Sequence, residues 1–439
     1  LVVNDRSRIP STEFAKPRIK CNASMTGLTD KMPAYLLWLS TIVAVVLASL
    51  DSSANPEEYV APRSASTGTR SVPTLQFVAV VTRHGSIAPF NTIPTSLYQS
   101  NDTSVWPFGE GELTQIGRVQ MYKLGQIIRS LYDGFLDQAY QPDEFKATSS
   151  FVGRALQSAE LFLAGLFPPT GYEVWNEHLL WQPIPVFPSL FDHHEMVLID
   201  GNNLCPRFKE AQKLSLIKVN QVYNSILTNF LDYVLPHTGI DKRLLVKNVG
   251  SAYRIQTVFL VWESLEHASN NGLPLPDWAN KIYPEPISSL WFEIAKALFT
   301  DSIDQIKYME GELFQELVGL MKSKANNTLS PDTRMYYYSG HDYTLLALLA
   351  MLGQRSLEEI GFVSTGSALI YELHRDPDTN KFYIEVLFVD GVSPEWGPMD
   401  VDIQACDPPC DLYQLLNITD KYYKITNWKE ECNFISRTA

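Results

Sequence analysis

The chain has 439 residues, 45% of them hydrophobic and 19% charged, and a formal net charge of -14. Length and apolar fraction support a large core in one or two domains and exclude a disordered chain. The acidic balance, offset by no basic stretch, excludes nucleic acid and anionic membrane surfaces as partners, so any anionic small molecule must be drawn in by a local cluster of cations.

Residues 33–50 are almost wholly apolar, follow Lys31 and Met32, and lead into Asp51, Ser52, Ser53 and Ala54. Residues 32–54 therefore have the layout of a secretory signal peptide, with small residues such as Ala48 and Ser49 where cleavage occurs. An uncleaved signal anchor is the competing reading, since the run approaches the span of a bilayer. Met32 reads as the initiator, and 1–31 as a leader outside the mature fold. Residues 55–73, rich in Ser, Thr and Pro, read as a flexible lead-in. No second spanning run follows, so the mature chain is expected to be secreted or in the lysosomal lumen, without a stable membrane anchor. Sequons at Asn101, Asn326 and Asn417 suit that route, while another at Asn22 falls in the leader.

Order is expected from about Thr74. Leu75 to Thr82 is a nearly continuous apolar, β-branched run, which suits a central strand covered on both faces, and it turns at Arg83-His84-Gly85. From Thr114, a good N-cap, Ile116, Val119, Leu124, Ile127, Ile128 and Leu131 recur at helical spacing to about Tyr132. A strand over Glu144 to Ser149 leads into Arg154 and a second amphipathic helix, ended by Pro168 and Pro169. Residues 181–286 change to helical segments broken by Pro, Asn and Gly. Met335 to Ser339 forms another strand that stops at Gly340-His341-Asp342, before the helical run Thr344 to Leu352. Ala368 to Leu373 and Phe382 to Phe388 predict a hairpin that extends the sheet.

This alternation predicts an α/β sandwich with a central, mostly parallel sheet covered by helices on both faces, plus a smaller inserted helical domain. Residues 74–180 and 287–439 form the core, and 181–286 the insert. Ligands in such folds sit beyond the carboxyl ends of the strands, where both the RHG and GHD turns lie. One rim thus collects Arg83, His84, Arg154, His341 and Asp342.

Such a set suits a phosphoryl group. Guanidinium forks match phosphate oxygens and stay charged at low pH. His84 is the candidate nucleophile, kept unprotonated below its ordinary pKa of ~6.5 by the adjacent arginines. Asp342, when protonated, is the candidate donor to the leaving group. Arg83, Arg154 and His341 would steady the equatorial oxygens without a metal or other cofactor. Taken singly, Arg154 is equally an ion-pair residue and Asp342 a helix cap. His178, His193, His194, His237, His267 and His374 are assigned to surface or core.

Cys406 and Cys410 flank a short loop that a disulfide could close, with metal binding as the weaker reading for want of a second close pair or a nearby histidine. Cys205 and Cys432 remain as a plausible long-range pair.

The two turns are similar to the signatures of the histidine acid phosphatase family, and the chain resembles its animal prostatic and lysosomal members well beyond them. The likeness runs through WPFGEGELTQIG from Trp106, GRALQSAELFLAGLFPP from Gly153, LLWQPIPV from Leu179, NLCPRF from Asn203 and YYYSGHDYTLLALL. The resemblance implies His84 as phosphate acceptor, Arg83, Arg154 and His341 as phosphate ligands, and Asp342 as proton donor. It also implies Cys205–Cys432 and Cys406–Cys410 disulfides, a small phosphomonoester or phosphopeptide substrate, and a homodimer. The phosphoglycerate mutases share an RHG turn, but a signal peptide and disulfide-ready cysteines argue against that cytosolic role.

The chain departs from the family where its first motif expects a second arginine, for Ile87 stands there. One charge-assisted hydrogen bond contributes ~1.5–3 kcal/mol, so the change should cost about tenfold to a few hundredfold in rate. Thr148 also stands where relatives often have arginine, and Phe151 and Gly153 where they have aspartate. A weakened phosphatase is thus expected, the alternative being a catalytically impaired phosphate-ester-binding protein of the same fold.

Overall fold

The structure, a computed structural model, describes residues 68–189, 205–241 and 251–433. The leader, the signal-peptide segment, most of the lead-in, His193 and His194 lie outside the described residues. Eight strands among those described build one sheet: β1 (Leu75–Arg83), β2 (Phe145–Ser149), β3 (Val186–Pro188), β4 (Met335–Gly340), β5 (Ala368–Arg375), β6 (Phe382–Val389), β7 (Met399–Asp400) and β8 (Cys410–Asp411). Their spatial order is β3-β2-β4-β1-β5-β6-β7, with β8 also on β6. The first four run parallel, and each remaining strand is antiparallel to its neighbour. The predicted hairpin is β5–β6, in register from Ala368 opposite Val389 to Arg375 opposite Phe382, and it extends the sheet beside β1.

Every residue of β1 except Gln76 is buried, as a strand covered on both faces requires. Alternation sends its side chains to two cores. Phe77, Ala79 and Val81 join Tyr336 and Tyr338 in a core with Leu227, Trp262, Trp291, Phe314 and Leu346. Val78 and Val80 join Ala147 and Tyr337 in the other, with Met121, Leu124 and Phe162.

Helices α1 (Gln115–Leu131) and α2 (Gly153–Leu166) cover the second face. They cross with backbones touching: a Cβ at Gly125 would strike the Phe162 carbonyl, and one at Gly165 that of Tyr122. Thr114 caps α1 as its sequence position predicts, accepting the Gly117 N–H at 3.2 Å. The other face carries α3 (Pro206–Val222), α4 (Asn224–Thr238), α5 (Ser251–Asn270), α6 (Ile287–Phe299), α7 (Ile303–Ala325), α8 (Asp342–Leu352), the short α9 (Gln354–Ile360) and α10 (Leu412–Tyr423). A last short helix, α11 (Trp428–Glu431), packs with Phe208 and Tyr308. Helices α3 to α5, together with β3, lie within 181–286, and Leu216, Leu227 and Trp262 of the three helices join the core on the first face of the sheet.

Both implied disulfides are present. Cys205, at the start of α3, joins Cys432 beyond α11 with Cα atoms 5.1 Å apart, and Cys406 joins Cys410. No described helix is long and apolar enough to cross a membrane. Asn101, Asn326 and Asn417 are all exposed. Within the segment read as lead-in, Arg70 is held by Glu372 and Glu385, and its N–H donates to the Leu131 carbonyl at 2.7 Å.

Candidate active site

The parallel strands β1 and β4 end side by side, with Arg83 opposite Gly340, and this register brings the RHG and GHD turns to one rim. The His84 N–H donates to the Gly340 carbonyl at 3.1 Å, and the His84 carbonyl accepts the Gly366 N–H at 2.9 Å. The turn is clamped from behind by α1. A Cβ at Gly117 would collide with the Ser86 carbonyl, and one at Gly85 with the backbone of Gly117. The Gly85 N–H donates to Ser158 Oγ at 3.1 Å and the Ser86 N–H to Gln120 Oε1 at 3.0 Å, so both flanking helices hold the turn.

His84 is buried, with Nδ1 2.9 Å from the Gly85 carbonyl. A carbonyl only accepts, so Nδ1 carries the proton and Nε2 is the lone-pair nitrogen. Burial holds the His84 pKa well below its ordinary value, assisted by the charges of Arg154, Arg83 and His267 and opposed by the bond to Gly85. The sequence reading credited the arginines. They act in the expected direction, but burial is the larger cause.

All five predicted residues meet here. Arg83 Nη2 lies 3.2 Å from Asp342 Oδ2, its Nη1 donates to the Val363 carbonyl, and its guanidinium faces the Phe362 ring. Asp342 Oδ1 accepts the Tyr343 N–H at 2.8 Å, and His341 rather than Asp342 is the N-cap residue of α8. His341 sits with its ring centroid 5.4 Å from that of His84. Its Nε2 is 2.8 Å from Ser150 Oγ, and its Nδ1 is 3.4 Å from Nη2 of Arg154. Arg154, in the first turn of α2, lies over the Phe90 ring, and burial lowers its pKa. The Nε atoms of Arg83 and Arg154 are both buried without a hydrogen-bond partner. Cations with idle donors are the means to hold an anion.

The departures from the family pattern lie elsewhere. Ile87 is 4% exposed, and its backbone bridges to that of Leu113. Thr148 is buried on β2 and bonds Tyr336 Oη at 2.7 Å, while Phe151 is exposed. A cavity of about 450 Å³ near the turn is lined by Ser86, Gln120, Lys123, Thr365 and Trp396 and by none of the five.

Sequence reasoning missed His267 and Glu263, both buried on α5. Burial, followed by the charge of Arg83, drives the His267 pKa down to about 3. Burial pushes Glu263 up to about 8, while its Oε1 accepts the Phe90 N–H at 2.8 Å. The available signal was two polar residues four apart, Glu263 and His267, among the apolar Val261, Trp262, Leu265 and Ala268 of one helix.

Comparisons with known proteins agree with this geometry. The family model described as histidine phosphatase superfamily (branch 2) matches residues 74–389. Lysosomal acid phosphatase of Bos taurus is 31% identical over 378 residues, covering 83% of this chain and 82% of that protein. Prostatic acid phosphatase of Bos taurus is 28% identical over 364 residues, covering 82% and 87%. Among solved structures, the phytase from Citrobacter braakii superposes with a TM-score of 0.58 at 18% identity, over 82% of this chain and 99% of that one. Apo Hafnia alvei phytase gives 0.58 at 17% identity, over 83% and 98%. At such identities the structures speak for the fold alone.

Proposed function

Because the chain belongs to the histidine phosphatase superfamily (branch 2), whose membership supports hydrolysis of phosphate monoesters, we propose that it is an acid phosphatase working through a phosphohistidine on His84. The observation that carries this is the His84 ring. Its Nδ1 is tied to the Gly85 carbonyl, so Nε2 holds a lone pair among Arg83, Arg154 and His341.

Nε2 attacks phosphorus as the bond to the ester oxygen breaks, and protonated Asp342 gives its proton to the departing alkoxide or phenolate. Water then attacks the phosphohistidine. The Asp342 carboxylate takes the proton of that water, and phosphate leaves with the imidazole neutral again. The idle Nε–H groups of Arg83 and Arg154 give the equatorial oxygens donors already in place. His341 completes the grip beside Arg154. Asp342 must be protonated to begin, which is why an acid optimum belongs to this reading.

Turnover is weaker than in a chain carrying arginine at position 87, since Ile87 brings one donor fewer to the phosphoryl group. The disulfides and the lysosomal relatives support a secreted or lysosomal protein. A homodimer and glycans at Asn101, Asn326 and Asn417 belong to the same reading. Substrate choice falls to the 181–286 insert, whose helix α5 borders the site.

Purified protein assayed with an aryl phosphate at acid pH, beside a His84→Ala variant, tests the reading. Release of phosphate by the natural chain alone, with phosphate bound to its histidine after an alkaline quench, supports it; equal rates for the two proteins would sink it.

A further inference from the structure

Strands β2 and β4 end in register, Ser149 opposite Ser339, and each hands on a polar side chain to the rim. Beyond β2 stands Ser150, fully buried, whose N–H donates to the Ser339 carbonyl at 3.0 Å. Beyond β4 stands His341, whose Nε2 lies 2.8 Å from Ser150 Oγ and whose Nδ1 lies 3.4 Å from Nη2 of Arg154. The circuit closes at the start of α2, where Ser339 Oγ donates at 2.8 Å to the carbonyl of Ala155, the residue after Arg154.

These contacts fix which ring nitrogen carries the proton. A guanidinium has no acceptor, so Nδ1 must take the hydrogen bond from Arg154 with its lone pair. The proton of the ring is then on Nε2, which donates it to Ser150 Oγ. Stacking on Tyr343, with ring centroids 4.9 Å apart, and the edge contact with His84 leave the ring little freedom to turn over. Without an acceptor at position 150 the proton would be free to sit on either nitrogen, and on Nδ1 it would point at the guanidinium. Arg154 depends on this contact more than Arg83 does. Arg83 is paired with Asp342, while Arg154 has no carboxylate within ion-pair distance among the described residues. His341 is the side chain that hydrogen-bonds its guanidinium there, and its Nε is idle.

We propose that Ser150 is a positioning residue for phosphate binding: by holding the Nε2–H tautomer of His341 it presents the Nδ1 lone pair to Arg154, and so aims that guanidinium at the phosphoryl group. Ser150 acts only through the ring and the arginine. Its hydroxyl does for Arg154 what a carboxylate partner does for Arg83, without neutralising the cation. The charge of Arg154 stays available to the anion while its direction is fixed, which matters where Ile87 supplies no further donor. This deepens the phosphatase reading and rests on it for the identity of the ligand.

The test is binding of inorganic phosphate to the whole chain, measured by calorimetry, in a double-mutant cycle of Ser150→Ala and Arg154→Met. Misaiming one charge-assisted hydrogen bond predicts about tenfold weaker binding when Ser150→Ala is made in the natural chain, and little further loss when it is made beside Arg154→Met. Ser150→Thr, which keeps the hydroxyl, should recover most of the affinity. An equal loss in both backgrounds, or none in either, overturns the proposal, because a hydroxyl with a merely structural role would not depend on Arg154. Should alanine prevent folding, the imidazole nitrogen resonances of His341 in the unaltered chain read the same contact: they must show the proton on Nε2, and a proton on Nδ1 overturns the idea. Binding is measured without turnover, so a chain that binds as described yet forms no phosphohistidine would sink the hydrolase reading and leave this one standing.

Discussion

Strands β1 and β5 carry buried charge at both ends, and the two ends treat it in opposite ways. At the start of β1, Glu372 is fully buried with Arg70, His374 and Tyr132, whose hydroxyl donates to it at 2.6 Å. Burial pushes the Glu372 pKa up, but bonds from His374 and Arg70 outweigh it and hold the group below its usual range. Glu385 also faces this cluster. At the other end, Arg83 and Arg154 gather around His84, and Asp342 pairs with Arg83. Each of the two keeps an idle Nε. A buried cluster whose charges are paired and hydrogen-bonded to one another holds the fold together, whereas one with surplus cations and idle donors is built to receive an anion.

That contrast can be broken or sharpened by experiment. The largest effect belongs to the nucleophile: His84→Ala should lower kcat by at least about 10⁴-fold while leaving the melting temperature nearly unchanged. A residual rate close to the natural one would place the chemistry elsewhere. Glu372→Ala should do the reverse. Stripping one partner from a saturated buried cluster costs about 3–5 kcal/mol of stability, read by urea unfolding, with kcat per folded molecule unaltered. Ile87→Arg should raise kcat/KM about tenfold to a few hundredfold, by returning one charge-assisted bond. An unchanged value would mean that the packed Ile87 position no longer opens on the phosphate.

The smallest effect concerns Glu263. Its carboxyl is raised to about 8 in the folded chain, so the folded state holds its proton more tightly than the unfolded one. Its contribution to stability is fully present below the ordinary carboxyl pKa of ~4.3 and falls as pH rises toward 8. Glu263→Gln should therefore flatten that decline, gaining at least about 1 kcal/mol near neutral pH and nothing in acid, as followed by thermal unfolding across pH. A parallel shift at every pH would show that the carboxyl ionises freely.

Much of the architecture was legible because the elements around the site are strongly periodic. The run Leu75 to Thr82 has the composition of a doubly covered strand, and the apolar spacing after Thr114 admits only a helix. The two turns were legible because each follows such a strand, and parallel pairing then sets them side by side. His267 was not legible. Its helix belongs to a segment whose pattern is interrupted, and nothing local says that one face of α5 lies against residues nearly two hundred positions earlier.

The Cys205–Cys432 bridge spans 227 positions of the sequence. It encloses α3 to α11, including Asp342, His341 and His267. A protease that cuts once anywhere inside that circle leaves a nicked molecule whose two fragments remain covalently attached and part only under reducing conditions. The part of the rim that His341 and Asp342 supply is thus carried on a tethered ring that tolerates a break in its backbone.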